Sequence, residues 1–206
     1  APTVAPTPAP SPAPTPAPLQ PWPPSNTPVP ASGNTPMPAP WSAPSPPAPG
    51  QGPAKACSFE SASEPFCGVW RNAAVGDDFD WTQHSGSTPS GHTGPSAAAD
   101  GSTYLFIETS DPRQLGDIAV LKSVPMSVPP STTMTFQYSM NGRDIGTLRV
   151  SAGSTLLWSK AGNQGNQWLT ASVDLSSCAG SEVELSFEAT RGASWEGDIA
   201  IDDVAF

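Results

Sequence analysis

The side chains in this chain with the most evident capacity for chemistry are carboxylates. Glu60 follows Cys57-Ser-Phe, Asp78 and Asp80 flank Phe79 in the run GDDFDW, and Asp202–Asp203 interrupt an apolar run. Hard oxygen donors of this kind suit Ca2+, which takes about six to eight of them. In a strand sandwich the first and last strands commonly run side by side, which brings Glu60 toward Asp202. Glu60, Asp78, Asp80 and Asp202 are therefore the expected ligands of a structural Ca2+, the one cofactor the sequence suggests. The competing reading is a set of unrelated, solvated carboxylates.

A second acidic pair, Glu196 and Asp198, resembles the start of the ExDxE or ExDxxE strand of jelly-roll glycanases. Ala200 and Ile201 stand where the third carboxylate belongs, and Gly197 separates the first two. A retaining hydrolase needs two carboxyl groups roughly 5–5.5 Å apart in defined roles, so a turn is the better reading. His84 and His92 fall in a Gly/Ser/Thr-rich stretch with no HExxH pattern and are expected to be surface loop residues. No GxSxG elbow, P-loop or GxGxxG is present. No catalytic residue is assigned, and the ligand-binding residues stay unassigned.

Cys57 and Cys67 enclose nine residues. A disulfide between them would staple an N-terminal loop and contribute roughly 2–4 kcal/mol; the alternative is two independent buried thiols. Cys178 is either a small buried hydrophobe or a link to another chain.

The elements that position these residues occupy only part of the chain. Residues 1–56 hold 21 of the 28 prolines and one charged side chain, Lys55. Alternating proline removes donors and fixes φ, so a disordered polyproline stalk or linker is expected, reaching on the order of 150 Å at about 3.1 Å per residue. Its interleaved Thr and Ser suit O-glycosylation, and Trp22 or Trp41 offers an alternative docking role. The chain opens without a signal-peptide pattern and is expected to be a mature product or a fragment. Residues 57–206 supply one domain large enough for a substantial core. The formal net charge is −10 with no basic stripe, which argues against nucleic acid. No apolar run reaches about 18 residues, so no membrane insertion is expected within this chain.

From Cys57 onward the period is two. Met134, Phe136, Tyr138 and Met140 alternate with polar residues, as do Val183, Leu185, Phe187 and Ala189. This is the pattern of antiparallel strands wet on one side. Tyr104–Ile107 and Ile118–Leu121 are continuous apolar runs, consistent with burial on both faces. In the last strand Ile199 and Ile201 keep one phase and Val204 and Phe206 the other, so a bulge or twist is required at Asp202–Asp203. The fold class is all-β: an antiparallel jelly-roll sandwich of two sheets.

The order of short motifs is similar to the MAM domain, the extracellular module of meprins, neuropilins and receptor-type protein tyrosine phosphatases. It runs from Cys57-Ser-Phe-Glu60 and Cys67-Gly68 through Asp77-Asp78-Phe79-Asp80-Trp81, Thr93-Gly94-Pro95 and Gly101-Ser-Thr-Tyr104. It continues with Phe136-x-Tyr138-x-Met140-x-Gly142, Gly165-x-x-Trp168, Arg191-Gly192 and the closing Gly197–Asp203 segment. The resemblance implies a non-catalytic adhesion or recognition module outside the cell or at its surface, with other extracellular proteins or itself as partner. By position Cys57–Cys67 resembles the family's first disulfide. Thr133 stands where the family has its third cysteine, so the second bridge is not expected and Cys178 is an extra. The family's bound cation near the chain ends supports the Ca2+ expectation. Glycans are the alternative partners, with Trp158, Trp168 and Trp195 as candidate stacking platforms; a coplanar, solvent-facing indole pair would favour them.

Overall fold

The computed structural model describes residues 56–206; the expected stalk, with Trp22 and Trp41, lies outside the described residues. The chain from Cys57 onward forms twelve strands: β1 (Trp70–Asn72), β2 (Thr82–Ser85), β3 (Thr103–Ile107), β4 (Ile118–Ser123), β5 (Met126–Ser127) and β6 (Thr133–Ser139) come first. They are followed by β7 (Thr147–Ala152), β8 (Thr155–Ala161), β9 (Leu169–Asp174), β10 (Glu182–Val183), β11 (Leu185–Thr190) and β12 (Ile199–Ala205). One sheet has the order β1–β4–β11–β7–β8 and the other β2–β3–β12–β6–β9, with β5 and β10 as a separate two-stranded ribbon. All paired strands are antiparallel. The fold is the jelly-roll sandwich that the alternating pattern requires.

The inward residues of the two alternating strands meet across the sandwich. Phe136 from β6 packs edge-on against Phe187 from β11, with ring centroids 4.9 Å apart. Trp70 closes on Phe187 at 5.0 Å, and Trp158 stands edge-on to Phe136 at 5.1 Å. The two edge-on pairs place a ring's positive edge on a neighbour's negative face, worth about 0.5–1.5 kcal/mol each beyond burial, while Trp70 is tilted on Phe187. Val183, expected to lead β11, instead belongs to the ribbon, paired with Met126. Cys178 is buried in the main core as a free thiol, which agrees with the small-hydrophobe reading.

β3 is apolar on both faces because it is covered on both. Its outward residues Tyr104 and Phe106 form a second small cluster with Ala200, roofed by Ala98 and Trp168. Apart from Trp168, which precedes β9, the roof is the segment between β2 and β3, which crosses the outer face of the second sheet. It is fastened by the Tyr104 hydroxyl donating to Gly86 O (2.8 Å) and Trp168 Nε1 donating to Ala97 O (2.9 Å). His84, expected in a loop, lies in β2, with its ring 5.3 Å from that of Phe106. The Gly/Ser-rich segment that follows it masks its place at the end of a short strand.

The phase break in β12 is a bulge. The register with β6 shifts between Asp202 and Ala205, and Asp203 takes φ +46°. Ile199, Ile201 and Val204 all face the main core as a result. Beyond the bulge β12 meets the start of the domain: Cys57 N donates to Val204 O (2.7 Å) and Val204 N to Cys57 O (2.9 Å). The Cys57–Cys67 disulfide then ties the entry segment to its own loop.

Candidate functional site

Glu60 and Asp202 flank the join between the first and last segments, and both reach the same stretch, residues 99–103. The Glu60 carboxylate accepts from Ser102 N (2.8 Å), Ser102 Oγ (2.7 Å), Thr103 N (2.9 Å) and Thr103 Oγ1 (3.2 Å). These donors favour the ionised form, the Ser102 hydroxyl most of all, and hold the group down at about 2. Gly101 is required beneath it: its φ is +65°, and a Cβ there would run into the Glu60 carboxylate.

Asp202 lies on the outer face of β12, fully buried under the roof segment. Its Oδ2 accepts from Ala99 N (2.9 Å) and Asp100 N (3.0 Å), and its Oδ1 from Asp203 N (2.7 Å). Burial outweighs these bonds and pushes its carboxyl up to about 6. The two carboxylates thus pin one segment from two sides, one exposed and one buried.

Asp78 and Asp80 go elsewhere. Asp78 Oδ2 accepts from Ile118 N (2.9 Å) at the start of β4, in the opposite sheet from Asp202. Its neighbour Asp77, pushed up chiefly by burial and further by Asp80, faces Val120 N. Glu60 and Asp202 are brought to one segment; Asp78 and Asp80 are not brought to them. Among the described residues no three His, Cys, Asp or Glu side chains converge as they would around a metal. The four together do not fit one oxygen cage of the six to eight ligands that Ca2+ takes.

The Glu196–Asp198 pair is divided between two jobs. Glu196 meets the Arg143 guanidinium at 3.2 Å. Asp198 is fully buried, and its Oδ1 accepts from Thr109 N (3.1 Å) and Thr109 Oγ1 (3.0 Å). Burial, then the nearby charge of Glu108, pushes the Asp198 carboxyl up to about 6. Its Oδ2 makes no close hydrogen bond among the described residues. Arg191, also buried, donates from Nε to Thr109 O (2.8 Å) and so secures the same corner. The sequence offered no sign of this pairing, because it joins loops 82 residues apart.

The indoles do not form a platform pair. Trp158 packs on Phe136 and Tyr138, Trp168 stands edge-on to Tyr104, and Trp195 is exposed by itself. What sequence reasoning missed is an open depression of about 360 Å³ in the 87–96 loop, adjoining one of about 130 Å³ that ends at Trp168. Its only sequence signal was the density of hydroxyl residues after Gly86.

A disulfide-stapled jelly-roll sandwich whose acidic side chains fasten its loops is the architecture of an extracellular β-sandwich module. The model of the MAM domain, meprin/A5/mu, matches residues 57–206, and the chain belongs to this family. Human MAM domain-containing glycosylphosphatidylinositol anchor protein 1 is 38% identical over 163 residues, covering 72% of this chain and 16% of the relative. Mouse MAM domain-containing protein 2 is 36% identical over 170 residues, covering 77% of this chain and 23% of the relative. The chain therefore spans less than a quarter of the length of these relatives. Among solved structures, the K2 cleaved adhesin domain of Lys-gingipain superposes with a TM-score of 0.52 at 20% identity, covering 73% of this chain and 96% of that one. The K1 domain of the same protein, from Porphyromonas gingivalis W83, also gives 0.52, at 16% identity, with 73% and 95% covered. These two share the fold. The chain is an extracellular or cell-surface module, in keeping with its disulfide and with relatives named for a glycosylphosphatidylinositol anchor.

Proposed function

We propose that this chain is a non-catalytic recognition module, binding other extracellular proteins or a second copy of itself at the cell surface or in the matrix. The observation that carries this reading is the use made of the carboxylates. Glu60, Asp198 and Asp202 each accept hydrogen bonds from the backbone of a neighbouring loop, and Asp78 ties its own loop to the start of β4. Groups so engaged hold loops in fixed positions, and fixed loops lower the entropy cost of binding a partner. The relatives named for a glycosylphosphatidylinositol anchor support the cell-surface setting of this reading.

The test uses the full chain on beads of two colours. Mixed aggregates dispersed by excess soluble chain indicate self-recognition. Bead attachment to intact cells, competed by the same soluble chain, indicates a partner of another kind. Neither aggregation nor attachment, or turnover of glycoside or peptide substrates by the chain, overturns the proposal.

A further inference from the structure

The depression in the 87–96 loop and its smaller neighbour, about 360 and 130 Å³, adjoin at Pro95, Ser96 and Asn166 and together make a two-part trough along the roof segment. The larger part lies within the roughly 300–1,000 Å³ of small-ligand sites. Among the described residues no Asp, Glu, Lys or Arg lines either part. Hydroxyl and amide groups alternate with apolar surface along the wall, and the half-buried indole of Trp168 closes one end.

One buried polar atom of this trough has no partner among the described residues. Ser139 lines the smaller part, is 1% exposed, and its Oγ makes no hydrogen bond among the described residues. A buried hydroxyl without a partner costs about 1–3 kcal/mol, a cost that a ligand hydroxyl would remove. Behind the larger part sits Asp198, whose N–H donates to Thr93 Oγ1 (2.8 Å) and whose carboxylate is steadied by the Thr109 and Thr88 side chains. Thr93 lines the trough, so the carboxylate lies one residue behind the wall.

The chemistry selects a ligand class. An anion finds no Lys or Arg in the wall, only the His92 imidazole, and a carboxylate behind it. A metal ion finds a single His92 imidazole and no carboxylate in the lining, too few ligands to hold it. A ligand carrying several hydroxyls, each able to donate and accept, matches a wall of hydroxyls and amides, and its C–H face matches an indole. Trp168 is held ready, because its Nε1 donates to Ala97 O at 2.9 Å. We infer that this trough binds a neutral saccharide, with Trp168 as the stacking face and Ser139 and Asn166 as hydrogen-bonding groups.

The site stands independently of protein recognition, and either can fail without the other. The full chain is applied to an array of neutral, sulfated and sialylated glycans. The best neutral oligosaccharide is then titrated calorimetrically into the wild type, Ser139→Ala and Asn166→Ala. Neutral glycans are retained, and each variant weakens binding roughly five- to tenfold, the loss of one hydrogen bond. The melting temperature of Ser139→Ala is unchanged or raised, because its hydroxyl has no protein partner to lose. Retention of no glycan, retention of acidic glycans alone, or undiminished affinity in both variants overturns the assignment.

Discussion

Asp198→Asn isolates the cost of a buried charge in the loop corner of this domain. The Asp198 carboxyl stands at about 6 against 3.8 for the free side chain, mainly because it is buried and secondarily because Glu108 is near. Each tenfold change in proton affinity is worth about 1.4 kcal/mol, so the difference amounts to about 3 kcal/mol. The folded-state value is raised, so this stability is fully present below pH 3.8 and is lost as pH rises through about 6. Asparagine keeps an oxygen for Thr109 and removes the charge. Its amide group replaces an oxygen that makes no close hydrogen bond and has at most the Thr88 hydroxyl as partner, a pH-independent cost of up to about 1–3 kcal/mol. The variant is therefore expected to be less stable than wild type at pH 4 and to draw level or overtake it by pH 7.5. The difference between the two proteins changes by about 3 kcal/mol across that range, or roughly 6–12 °C in melting temperature for a domain of this size. Thermal melts by circular dichroism at half-unit pH steps measure it. Parallel pH profiles for the two proteins would refute the reasoning.

Three further outcomes follow from the same geometry. Gly101→Ala should lose about 2 kcal/mol in urea melts, because a Cβ at φ +65° is disfavoured and collides with the Glu60 carboxylate; an unchanged midpoint would show that the clamp yields. Reducing the Cys57–Cys67 bond, or Cys57→Ser, should lower stability by about 2–4 kcal/mol, read as a fall in melting temperature with dithiothreitol. Equal melting with and without reductant would count against it. Any gain in melting temperature from Ca2+ over EDTA should be the same in Asp78→Asn and Asp80→Asn as in wild type, since these groups lie apart from Glu60 and Asp202. A gain abolished by Asp78→Asn would show that the four carboxylates converge.

Much of this architecture was legible in the residue pattern. Strict alternation in β6 and β11 marks a sheet with one wet face, and that is how Phe136 and Phe187 come to meet. The change of phase at Asp202–Asp203 required a bulge, and the register break and the positive φ of Asp203 supply it. The destination of the carboxylates was less legible. Glu60 reaches backbone 42 residues away and Asp202 reaches back 103, and hydrogen bonds across such separations leave no periodic trace. Asp78 and Asp80 looked equivalent to Glu60 as oxygen donors, but chain order does not say which sheet a carboxylate will serve. The roof segment is harder still: its Gly, Ser and Thr residues have no hydrophobic period, so neither its passage over Tyr104 and Phe106 nor the trough within it shows in sequence.

The central claim, that this module recognises extracellular proteins, is tested most directly by labelled, tetramerised chain on intact cells, read by flow cytometry before and after mild surface proteolysis. Saturable staining, competed by soluble chain and lost after proteolysis, is the predicted result. Staining no greater than that of a heat-denatured control, or staining that proteolysis leaves intact, would contradict it.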